Sequence, residues 1–99
     1  MIYSIVFHKD AKRDYEKLDG SVRLLVLKQL NKIKKNPFQG LELGNKAGLN
    51  LIGYRKIYVN KKQLRIVYKI DEEKIEVLVV SINKRENMKS YKLAYLRKN

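Results

Sequence analysis

Three runs in the second half of the chain, GYRKIYVN, QLRIVYKID and KIEVLVVSIN, are rich in β-branched and aromatic residues and are joined by the polar turns NKK and DEE. Turns this short close hairpins, so the runs are expected to form an antiparallel meander. In the middle run Leu64, Ile66, Tyr68 and Ile70 alternate with Arg65, Val67 and Lys69. A strand's period of two then aims Arg65 away from the face that carries Leu64 and Ile66. The last run holds Val77, Leu78, Val79 and Val80 in succession, as expected of a central strand covered on both faces or nearly so.

Cover for such a sheet has to come from upstream. Residues IYSIVF read as one further strand. The period then changes: Ala11, Tyr15 and Leu18 fall at i, i+4 and i+7, with Asp10 placed to cap the first turn and Gly20 placed as a C′ residue. Ser21 is placed to cap a second helix, SVRLLVLKQLNKIKKN, whose Val22, Val26, Leu30 and Ile33 line one face and whose Leu25 widens it, until Pro37 stops it. The stretch PFQGLELGNKAGLN holds three of the five glycines and no sustained period, so it reads as a loop or bent connection with room for a short 3₁₀ or helical turn. Beyond Asn83 the apolar signal fades, although Tyr91, Ala94 and Tyr95 recur at i, i+3 and i+4 and permit a short basic helix. The expected architecture is one α+β domain over residues 1–99: β-α-α-β-β-β, a small antiparallel-rich sheet with two N-terminal helices on one face, and a C-terminal helix or tail. The opposite face is expected to be partly exposed and to collect Arg55 or Lys56, Arg65 and the strand-end Arg85.

Charge narrows the function. Lys and Arg number 23 against 10 Asp and Glu, giving +13. Residues 1–20 are neutral, residues 21–60 carry +7 and residues 61–99 carry +6, so the cationic surface belongs to the second half. Such a field repels itself and suits nucleic acid or an acidic protein, a merely solvated basic surface being the plainer alternative. The absence of cysteine excludes a disulfide framework and a thiolate zinc site, and fits a reducing compartment. The opening MIYSIVFHKD has too short an apolar run for a secretory leader, and no stretch approaches the roughly 18 apolar residues of a membrane span. A cytoplasmic protein is expected. His8, the only histidine, has no carboxylate motif around it and reads as structural or surface.

The ordered set IVFHKDAKRDYEKL, KKNPF, LIGYRKI, LRIVYKID and VLVVSINKRENMKSY resembles, over nearly the whole chain, the RelE/ParE superfamily of bacterial and archaeal type II toxins. That superfamily runs two mechanisms on one scaffold, so the likeness alone leaves function open. RelE-like members are endoribonucleases that cut the mRNA codon in the ribosomal A site, whereas ParE-like members inhibit DNA gyrase and lack the nuclease residues. The RelE pattern implies an arginine followed by Ile or Leu, Val and Tyr, an arginine within Lys-Arg-Glu, and a tyrosine six residues beyond it. These fall on Arg65, Arg85 and Tyr91. The pattern also has two cations at alternate strand positions, and here the chain departs: Arg55 and Lys56 are adjacent, and Tyr58 takes the next alternate place. Either cation could fill the first position. Lys62, Lys84 and Lys89 are further RNA-contact candidates. The resemblance thus implies a metal-independent mRNA interferase without a cofactor, partnered by mRNA, ribosomal RNA and a cognate antitoxin with an acidic amphipathic contact segment. Operator DNA would be met only through the antitoxin complex, and a membrane not at all. A ParE-like gyrase inhibitor is the alternative.

RNA cleavage by this residue set is chemically coherent. The substrate's own 2′-OH can attack the adjacent phosphate, so the protein needs a base, positive charge where the phosphorane gains charge, and help for the leaving oxygen. A tyrosine near its ordinary pKa of ~10 is a poor base, but neighbouring cations favour its phenolate. Arg65 with Arg55 or Lys56 would hold the phosphate, Arg85 would stabilise the transition state, and Tyr91 would be the base.

Overall fold

The change of period after Pro37 is realised as a helical pair followed by a sheet. A computed structural model describes residues 2–46, 48–84 and 89–97. The chain runs β1 (Ser4–Phe7), α1 (Lys9–Glu16), α2 (Gly20–Lys35), a 3₁₀ turn (Pro37–Gln39), β2 (Leu41–Lys46), β3 (Leu49–Val59), β4 (Leu64–Asp71), β5 (Glu76–Lys84) and α3 (Lys89–Leu96). Among the described residues the strands form one sheet in the order β1-β5-β4-β3-β2, with β1 parallel to β5 and every other pair antiparallel. The expected α+β class and the meander β3-β4-β5 are both present. No helix among the described residues is long and apolar enough to cross a membrane.

Each sheet face has its own apolar layer. On one, Ala11, Val26, Leu30 and Ile33 of the two helices meet Leu64, Ile66, Tyr68, Val77 and Val79. On the other, Tyr91 and Ala94 of α3 cover Leu51, Tyr54, Val67 and Val80. The valine run of β5 is therefore divided between two cores, and each fully buried Val or Ile contributes about 1.5–3 kcal/mol. Leu25 lies outside the helix stripe, 38% exposed, and does not widen it.

Several local expectations give way to specific contacts. His8, not Asp10, caps α1: its Nδ1 accepts the Asp10 N–H at 3.1 Å. The Leu18 N–H bonds back to the Tyr15 carbonyl and tightens the exit from α1, so no left-handed residue is required there. Gly20 accordingly opens α2 behind the N-cap Asp19, and Ser21 lies inside its first turn. Within the stretch expected to be a loop, the 3₁₀ turn forms but Leu41–Lys46 is a strand. Its register with β3 shifts between Glu42 and Gly44, and Gly44 has φ +60°, so a bulge erases the alternation by which a strand is read.

Tyr68 fixes the path between α2 and β2. Its hydroxyl donates to the Pro37 carbonyl at 2.7 Å and accepts the Gly40 N–H at 3.0 Å. A Cβ on Gly40 would overlap that hydroxyl and come within 3.0 Å of the Lys56 carbonyl. The backbone there, φ −70°, suits any residue, so space alone is at stake. Gly40→Ala should lose about 1–3 kcal/mol in a urea titration; an unchanged midpoint would show that Tyr68 moves aside freely.

Candidate functional site

The β3–β4 hairpin sets Tyr58 opposite Arg65 and Lys56 opposite Val67. Directly paired residues share a face, so Lys56, Tyr58 and Arg65 lie together on the side away from α1 and α2, where Lys56 and Tyr58 are half-buried and Arg65, expected on a partly exposed face, is buried beneath α3 at 6% exposure. There α3 brings Tyr91 against Arg65, whose guanidinium carbon lies 3.9 Å from the Tyr91 ring centroid and 5.5 Å from that of Tyr58. Arg65 Nη1 donates to Ser90 Oγ at 3.2 Å, and Ser81 Oγ donates to the Ser90 carbonyl at 3.0 Å, which fastens the first turn of α3 to the sheet. Lys56 Nζ donates to Tyr58 Oη at 3.0 Å and lies 5.7 Å from the Tyr91 centroid. From β2, Lys46 Nζ reaches 5.7 Å from the same ring. Cations and phenols alternate across this face.

Their electrostatics are coupled. The hydrogen bond from Lys56 pulls the Tyr58 phenol down to about 7, burial opposing it and Arg65 assisting. For Lys56, burial alone would lower the ammonium, but the bond to Tyr58 and the nearby Tyr91 phenol outweigh it and raise it above its ordinary value. At neutral pH the pair is therefore poised between ammonium–phenol and ammonium–phenolate. Tyr91 differs sharply: it is 1% exposed, and its hydroxyl is buried without a hydrogen-bond partner among the described residues. Arg65 Nε and the Oδ1 of Asn83, the β5 partner of Arg65, are likewise buried and unpartnered among the described residues. Buried polar atoms are rarely left so.

Of the residues the sequence singles out, the structure gathers Lys56, Arg65 and Tyr91. Arg55 points to the opposite side: it donates to the carbonyls of Gly40 and Phe38 at 2.7 and 3.2 Å, pairs with Glu42 at 3.1 Å and stacks over Phe38. It thus clamps the α2–β2 connection. Lys62 and Lys84 line a separate groove with Lys17, Leu18 and Val22, where the α1–α2 junction meets the β3–β4 turn. In that turn Asn60, Lys61 and Lys62 all have positive φ, a strained run for non-glycine residues. Lys89 is exposed at the start of α3. Arg85 lies outside the described residues. Tyr58 and Lys46 belong to the cluster although the sequence reading did not place them there. The alternation Tyr54, Lys56, Tyr58 carries the signal for the first; the β2 bulge removes it for the second.

This geometry defines a small basic α+β protein with a cationic, phenol-lined sheet face beneath a terminal helix. The family model described as "ParE toxin of type II toxin-antitoxin system, parDE" matches residues 5–88. The mRNA interferase toxin RelE of Escherichia coli strain K12 is 30% identical over 97 residues, spanning 98% of each chain. A solved structure of an E. coli RelE double mutant in the free state superposes with TM-score 0.77 at 29% identity, covering 98% of each chain. The same mutant in complex with an antitoxin RelBc peptide gives TM-score 0.69 at 27% identity over 95% of each chain. The chain belongs to the RelE/ParE superfamily of type II toxin–antitoxin toxins.

Proposed function

We propose that this toxin is a ribosome-dependent endoribonuclease of the RelE kind, which cuts mRNA in the A site, and that a cognate antitoxin with an acidic amphipathic segment holds it inactive. The observation that carries this reading is the cluster of Lys56, Tyr58, Arg65 and Tyr91 on one face. It supplies positive charge and phenolic oxygen side by side, the two things that 2′-OH attack requires. The 2′-oxygen forms a bond to phosphorus as its proton passes to a base, the P–O5′ bond breaks, and the departing oxygen takes a proton from water. Lys56, with the charge of Arg65 behind it, stabilises the phosphorane oxygens, and the resemblance adds Arg85 to the cation set. No metal enters these steps.

A phenolic base and weakly acidic cations make a slow catalyst on free RNA, and alignment of the 2′-OH by the ribosome contributes several kcal/mol that they do not. The +13 charge favours docking on ribosomal RNA. Gyrase inhibition is the rival, because the matching family model carries the ParE description; the RelE name of the relatives and the cation–phenol cluster favour the nuclease. The test is to incubate the protein with programmed ribosomes and with free mRNA, map the ends, and assay gyrase supercoiling in parallel. Cuts within the A-site codon, with 5′-OH and 2′,3′-cyclic phosphate ends and little cutting of free RNA, are expected. Intact message together with blocked supercoiling would reject the nuclease reading.

A further inference from the structure

On the nuclease reading just given, we infer that Tyr58, its phenolic oxygen held by Lys56, is the group that takes the proton from the attacking 2′-OH, while Tyr91 is the support on which Arg65 rests. Three observations separate the two tyrosines. The first is access: Tyr58 is half-buried on the strand face, whereas the Tyr91 hydroxyl is buried. A base has to come within about 2.6–3.2 Å of the proton it removes, and the Tyr91 oxygen meets no solvent in this arrangement.

The second is the company each oxygen keeps. Lys56 Nζ donates directly to Tyr58 Oη at 3.0 Å, and Arg65 stands in the cross-strand position opposite. An ammonium has three donors, so Lys56 can hold the phenolic oxygen with one and still offer others to a phosphate oxygen. Base and phosphate would thus be brought together by one side chain. Tyr91 also raises the Lys56 ammonium, after Tyr58, but what it presents to Arg65 is its ring, with the guanidinium stacked at 3.9 Å. That contact fixes where the Arg65 charge sits, which makes Tyr91 a positioning residue.

The third is electrostatic. The same hydrogen bond brings Tyr58 down to about 7, so a substantial share of it is phenolate at neutral pH. The step balances: the 2′-O–H proton passes to the Tyr58 phenolate as O2′ bonds to phosphorus, O5′ leaves with the P–O5′ electron pair and is protonated by water, and Tyr58 returns its proton to solvent.

The experiment is single-turnover cleavage on programmed ribosomes at saturating toxin, followed as a function of pH. Wild type should speed up with rising pH and level off above about 7, since the phenolate is the active form. Tyr58→Phe should be slower by on the order of 100-fold or more and should lose that rising limb, with co-sedimentation on ribosomes unchanged. Tyr91→Phe should keep the limb. Fluorotyrosine incorporated at position 58, a more acidic phenol, should move the limb to lower pH, which no packing role of Tyr58 would do. Carbon-13 labelling of the tyrosine rings provides a second reading in the free protein: one resonance should titrate near 7 and vanish in Tyr58→Phe. If wild type leaves message intact, the nuclease reading falls and this assignment falls with it. If wild type cuts while Tyr58→Phe keeps both rate and limb, or if the limb disappears in Tyr91→Phe instead, the assignment alone is overturned.

Discussion

Lys56→Met should slow single-turnover cleavage on programmed ribosomes by about 10²–10³-fold at neutral pH, the scale on which removal of one group stabilising a developing oxyanion is felt. Two losses combine. The ammonium no longer meets the phosphorane, and the bond that chiefly holds the Tyr58 phenol low is gone. The second loss has a definite sign: with the phenol back toward its ordinary range, less of it is ionised at neutral pH, so the rising limb of the pH–rate profile moves upward. Part of the lost rate should return in alkaline buffer. Lys56→Arg keeps the charge but replaces a compact three-donor ammonium by a planar fork, and should be milder at the phosphate while still moving the limb. A Lys56→Met variant that cuts within a few-fold of wild type, with its limb in place, would remove Lys56 from the site. Arg55→Met is the useful contrast, because its guanidinium is spent on Gly40, Phe38 and Glu42.

That contrast also shows what the sequence could tell and what it could not. Arg55 and Lys56 are neighbours, and composition treats them alike. Strand parity separates them, since Lys56 alternates with Tyr54 and Tyr58 and lies on the Arg65 side, whereas Arg55 pairs with Tyr68 on the helix side. The aim of Arg65 away from the helices was legible because period two holds along β4 and along β3 from Tyr54 to Val59, whereas the register against β5 shifts between Val67 and Tyr68. Other features depended on contacts between distant segments. No local pattern reveals that β1 inserts parallel to β5, that the Gly44 bulge hides a strand, or that α3 folds back over the Arg65 face and buries Tyr91. Lys62 and Lys84 likewise fall beside α1 and α2 rather than beside Lys56, because the β3–β4 turn ends against the helical pair. The motif tyrosine was easy to find and its burial was not, whereas Tyr58 was visible only as a departure from the expected cation pair.

Asp14→Ala should cost about 3–5 kcal/mol, the range for removing one partner of a buried ion pair. β1 is only four residues long, and its register with β5 ends at Phe7 and Val79. Beyond that point the polar groups of β5 need other partners. The Asp14 carboxylate accepts the Ile82 N–H at 3.2 Å, and Arg97 Nη1 donates to the Val80 carbonyl at 2.7 Å and to Asp14 at 2.8 Å. Both side chains are nearly buried, at 12% exposure for Arg97 and 10% for Asp14, so the discount that applies to surface pairs does not apply here. Alanine would strand a guanidinium whose other carboxylate, Asp10, is 3.7 Å away, and would leave a β5 amide unpaired. Asp14→Asn retains an acceptor and should lose less, while Asp14→Leu combined with Arg97→Met should recover most of the loss, since an apolar pair often replaces a buried ion pair at little cost. Urea titration reads all three. A loss below about 1 kcal/mol for Asp14→Ala would mean that the pair behaves as a surface contact. Because Arg97 ends the helix that carries Tyr91, the same variant should also loosen the support under Arg65. Stability and cleavage should therefore fall together in Asp14→Ala, whereas Lys56→Met should lose cleavage and leave the urea midpoint nearly in place.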